Sequence, residues 1–101
     1  MIRHKLVDMA MRVNSTRAFL NATAQAVMDG EMGLVPEICQ LKNLATTNLE
    51  IVASEAVQIL GGMGYVEGTA SERIFRETKV MQIGGGSTEI MKDLAAKQAG
   101  Y

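Results

Sequence analysis

A chain of 101 residues, 48% apolar and 21% charged, has room for one small domain and enough apolar material to pack it, so a disordered tail is excluded. Its 10 basic and 11 acidic residues are scattered and sum to −1, which leaves no basic block to displace counterions from a nucleic acid. One cysteine, Cys39, and one histidine, His4, allow no internal disulfide and no metal-ligand set.

The chain opens with MIRHKLVDMAMRV, which has helical spacing rather than the charged-then-apolar order of a leader. Apolar residues recur at steps of three and four through Ile2, Leu6, Met9, Val13, Leu20, Ala24 and Val27, with one gap of seven. This predicts an amphipathic helix buried along that stripe and ended near Gly30. No run of 18 apolar residues follows anywhere, so no membrane partner is expected and the chain reads as cytoplasmic.

Pro36 suits the first turn of a second helix. From there Ile38, Leu41, Ala45, Leu49, Val52, Ala56 and Ile59 keep the strongest periodicity in the chain, to about Leu60, some 37 Å at about 1.5 Å per residue. Cys39 on this helix reads as a small buried apolar residue. Gly61-Gly62 should stop it, and residues 61–64 read as a turn.

Thr69-Ala70-Ser71-Glu72 has the form of a capping box and starts a helix to about Ile83. Its expected buried side is Ile74, Phe75, Thr78 and Met81, with Arg73 and Glu77 paired on the outer face. Gly84, Gly85 and Gly86 break the chain again, and Ser87 or Thr88 can cap a last helix with Glu89 in its first turn. No strand alternation is present. The expected fold is therefore all-α: a single up-and-down bundle over residues 1–101, with two long antiparallel helices and two short ones. Most of the methionines fall on or beside the apolar stripes and read as gap-fillers. A domain this small buries roughly 60–70% of its unfolded surface, which favours a homo-oligomer, dimer or tetramer.

Taken alone, GGMG and GGGST are turns whose free amides could meet an anion or a carbonyl oxygen, without the lysine of a nucleotide-binding loop. Their joint order is more specific. VQILGGMGY, ERIFRETKV and QIGGGSTEIMK, preceded by HKLVDMAMRV, EICQLKNLA and NLEIVASEA, together resemble the carboxy-terminal helical domain of the acyl-CoA dehydrogenases. These flavoenzymes oxidise the Cα–Cβ bond of acyl-CoA thioesters. The resemblance implies that Gln58, Ile59, Leu60, Gly61 and Gly62 contact FAD, often that of a neighbouring subunit. It further implies that Gly86 lies against acyl-CoA and that Ser87, Thr88 and Glu89 touch FAD. Gly85 stands where many members carry the catalytic glutamate, and so resembles the isovaleryl and long-chain types, which lack it there and supply it from an earlier helix of the same domain. No catalytic residue is therefore expected within the chain, and the base should lie upstream of Met1. The implied parent is an FAD-dependent dehydrogenase of which this chain is a carboxy-terminal fragment, inactive alone and at most a weak FAD binder. An inert helical oligomerisation module derived from the family is the alternative.

Overall fold

Local signals set most of the helix ends. The computed structural model describes residues 1–101 as five helices: α1 (Ile2–Met28), α2 (Val35–Leu60), α3 (Gly62–Tyr65), α4 (Ala70–Ile83) and α5 (Thr88–Ala99). Pro36 occupies the first turn of α2, where its missing N–H costs nothing. Ser87 caps α5 by accepting from the Ile90 amide at 3.3 Å. Thr69 caps α4 by accepting from the Glu72 amide at 3.2 Å.

Several expectations need correction. The bundle has five helices rather than four, because only Gly61 takes positive φ (63°) at the first glycine turn. Beyond it the chain closes one helical turn, with the Gly64 amide donating to the Gly61 carbonyl at 2.9 Å. The capping box forms only half, since the Glu72 carboxylate reaches forward to Arg76 at 3.0 Å instead of back to Thr69. That i,i+4 pair takes the place of the expected Arg73–Glu77 pair. Of the expected buried side of α4, only Thr78 is buried, while Ile74, Phe75 and Met81 stay substantially exposed.

Packing is organised around α2, which touches every other helix, α1 on one side and α4 and α5 on another. Cross-links at Lys5–Glu55 (3.4 Å) and Arg12–Asn48 (3.1 Å) pair rising numbers on α1 with falling numbers on α2, so the two long helices run antiparallel as expected. The face that α1 turns to α2 is rotated from the predicted stripe, toward Lys5, Arg12, Thr16 and Thr23. Asn48 donates to the Arg12 carbonyl and to Thr16 Oγ1, and Thr23 is buried nearby on the same side. A polar seam of this kind must be paired across the interface, and once paired it fixes which way α1 faces. Leu6, Val13, Leu20 and Val27 are left at the surface, Val13 and Leu20 lining an open apolar groove with Ala45, Leu49 and Val52.

The interior is correspondingly thin. Cys39 and Ala53 are the buried apolar residues, and the chain extends over 47 × 24 × 23 Å. Cys39 is buried as its position on α2 suggested.

Candidate functional site

Three glycines join α4 to α5. Gly84 has ordinary backbone angles, whereas Gly85 (φ 74°) and Gly86 (φ 123°) lie where side chains are disfavoured. A methyl group at Gly85 would meet nothing within 4 Å, so that position faces open space. At Gly86 it would run into the end of the Met91 side chain. The amides of Gly85, Ser87 and Thr88 find no acceptor within the chain. With the positive end of α5 beside them, they form a donor set suited to a carbonyl, carboxylate or phosphate oxygen. Glu89 is exposed in the first turn of α5, where its charge complements the helix dipole.

The turn is held from behind by α2. Lys42 Nζ donates to the carbonyls of Gln82 and Gly86, the latter at 2.6 Å, and Asn43 Nδ2 donates to the Thr88 carbonyl at 3.0 Å. The sequence reading passed over both residues. Lysine and asparagine on a helix ordinarily face water, and the only available signal was their place beside Leu41 and Leu44 within the apolar stripe.

The other turn is built differently. Gly64 is buried, and a methyl group there would lie 2.7 Å from Leu60 Cβ and 3.2 Å from the Val57 Cα and carbonyl. Glycine at 64 therefore lets α3 lie directly on the last turn of α2. The Gly64 carbonyl accepts from Ser71 Oγ at 2.9 Å, which ties the turn to the start of α4. Gln58, Leu60, Gly61 and Gly62 are exposed at this end of the molecule, and Ile59 is half-buried.

The two groups of predicted site residues do not meet. Gln58 lies 16 positions after Lys42 on the same straight helix, about 24 Å away along its axis. Gln58–Gly62 and Gly86–Glu89 are thus separate surfaces of one protomer.

A sequence profile described as acyl-CoA dehydrogenase, C-terminal domain, matches residues 1–100. The chain belongs to the acyl-CoA dehydrogenase family. Its fold agrees with that of a Mycobacterium smegmatis protein assigned as an acyl-CoA dehydrogenase, with a TM-score of 0.95 and 39% identity over 98% of this chain and 26% of that one. Butyryl-CoA dehydrogenase from Megasphaera elsdenii superposes with a TM-score of 0.91 and 30% identity over 99% of this chain and 26% of that one. The human mitochondrial short-chain specific acyl-CoA dehydrogenase is 34% identical over 91 residues, 90% of this chain and 22% of the relative. The chain thus spans about a quarter of the length of these acyl-CoA dehydrogenases. No helix in it is long and apolar enough to cross a membrane.

Proposed function

We propose that residues 1–101 form part of the carboxy-terminal helical domain of an FAD-dependent acyl-CoA dehydrogenase, contributing flavin and thioester contacts and part of an oligomer interface. The match of a family profile to residues 1–100 carries this reading. FAD, when bound, would accept the hydride from the substrate β-carbon. On this chain, the open backbone at Gly85 lets a thioester approach without a side chain in the way, and the free Gly85 amide can hold its oxygen. Ser87, Thr88 and Glu89 are assigned to the flavin of the same site and Gly86 to acyl-CoA. Gln58, Ile59, Leu60, Gly61 and Gly62 are assigned to a second flavin, a division supported by the roughly 24 Å between the two surfaces.

Gly85 carries no carboxylate, so removal of the α-proton is assigned to a glutamate outside these residues, as in the isovaleryl and long-chain types. That base must sit within hydrogen-bond reach of the α-carbon proton. The oligomer is assigned chiefly to exposed apolar surface on α1 and α4, where Leu20 is 49% and Val80 68% accessible.

The test is flavin reduction. Protein purified from its source, with any chain that accompanies it, is expected to show flavin absorbance that bleaches anaerobically on addition of an acyl-CoA. Residues 1–101 alone should neither turn over acyl-CoA nor retain FAD through gel filtration. A flavin-free native protein, unresponsive to straight and branched acyl-CoAs, would favour the inert oligomerisation module.

A further inference from the structure

The turn from Gly84 to Gly86 poses a physical problem. Three consecutive glycines have no side chains to fix their path, and each has more conformational freedom to lose than any other residue. A donor set made of backbone amides works only if that backbone is already in place when the substrate oxygen arrives. Hydrogen bonds within the turn are few: Gly84 N–H to the Val80 carbonyl at 2.7 Å and Gly86 N–H to the Ile83 carbonyl at 3.3 Å.

The remaining anchors come from two adjacent residues on α2. Lys42 takes the Gln82 carbonyl before the turn and the Gly86 carbonyl within it, and Asn43 takes the Thr88 carbonyl after it. The three points bracket the free amides of Gly85, Ser87 and Thr88. Carbonyls near a helix C-terminus lack partners within the helix, and an ammonium group is a charge-assisted donor able to serve two of them at once. Gln82 is fixed independently, since its side chain donates to Glu50 and accepts from Lys79 at 3.0 Å. One end of the Lys42 clamp is therefore attached to a braced point, and the other holds the glycine that has the most unusual φ in the chain.

We infer that Lys42, assisted by Asn43, is a positioning residue for the reaction: it holds the turn so that the Gly85 amide faces the acyl thioester while Ser87 and Thr88 face the flavin. The role rests on the function proposed above. Neither side chain touches the substrate on this account. Both act through the backbone of the turn.

Lys42→Met keeps the stem and removes the donors, while Lys42→Arg keeps a charged donor. Two readouts separate local order from chemistry. The first is amide exchange of residues 84–90 by mass spectrometry, with residues 50–57 of α2 as the internal reference. The second is steady-state turnover of an acyl-CoA by the native flavoprotein, analysed as kcat and KM. Lys42→Met should speed exchange of the hydrogen-bonded amides of Gly84, Gly86 and Ile90 at least tenfold while the reference segment stays within twofold, and should lower kcat at least tenfold. Lys42→Arg should recover most of both. If Lys42→Met does not fold, Asn43→Ala tests the same clamp at one anchor, with faster exchange at Ile90 and a smaller loss of kcat. Normal kcat in Lys42→Met beside an active wild type would overturn the positioning role, even if exchange had risen. Absence of acyl-CoA turnover in the wild type itself would instead overturn the functional reading on which the role rests.

Discussion

The two glycine turns look alike in sequence and are held by opposite means. Gly61–Gly64 is fixed by contact: α3 lies on α2 so closely that Gly64 has no room for a methyl group. Gly84–Gly86 is fixed at a distance, by side chains that reach from α2 to its carbonyls while its outer face stays open. At Gly64 glycine supplies missing volume, and at Gly85 it supplies backbone angles. The same residue type therefore signals packing at one end of α2 and a place of approach at the other.

Substitutions by alanine break this contrast most directly. Gly64→Ala should have the largest effect, about 3 kcal/mol, because the atoms it meets are backbone or next to backbone and cannot swing aside. Thermal denaturation should show a fall in Tm of more than about 10 °C, given roughly 4–8 °C per kcal/mol for a domain this size. A shift below about 3 °C would mean that α3 lifts from α2 at little cost. Gly86→Ala should cost about 2 kcal/mol through its φ of 123°, since the Met91 methyl that it meets is flexible and can move. Gly85→Ala should cost about 1.5 kcal/mol, because its φ of 74° lies near the left-handed region, where a side chain carries a modest penalty, and nothing stands near it. Equal losses at positions 85 and 86 would show that the turn is less rigid than its α2 anchors suggest. The smallest change is expected from Thr69→Ala, about 1 kcal/mol for the lost cap of α4. Measured in the Gly64→Ala background, it should cost less, since Thr69 and Ser71 share the Gly64 carbonyl that the first substitution displaces.

What could be read from sequence divides along the same line. Helix extents, the proline at the start of α2 and the caps at Thr69 and Ser87 were legible because each is decided by residues within about one turn of itself. Gly64 and Lys42 were not, because their roles depend on atoms of another helix. Val57 and Leu60 decide that residue 64 must be glycine, and the carbonyls of Gln82 and Gly86 decide what Lys42 does. The orientation of α1 fails for a related reason. Periodicity located an apolar stripe but could not say whether α2 or some other surface covers it, and the paired seam of Arg12, Thr16 and Asn48 settles the matter the other way. Of the candidate site, both turns were legible as turns. The roughly 24 Å between them was implicit in the length of the second helix, though only the antiparallel packing shows that nothing folds back to close the gap.

Because both turns are mounted on one uninterrupted helix, α2 works as a ruler. Removing a single residue between Lys42 and Val57 would shorten it by only about 1.5 Å, yet would rotate one turn against the other by about 100°. Insertions and deletions should therefore be tolerated in the exposed connection from 29 to 34 and rejected along α2, where even a length change of one residue points half of the molecule in a new direction.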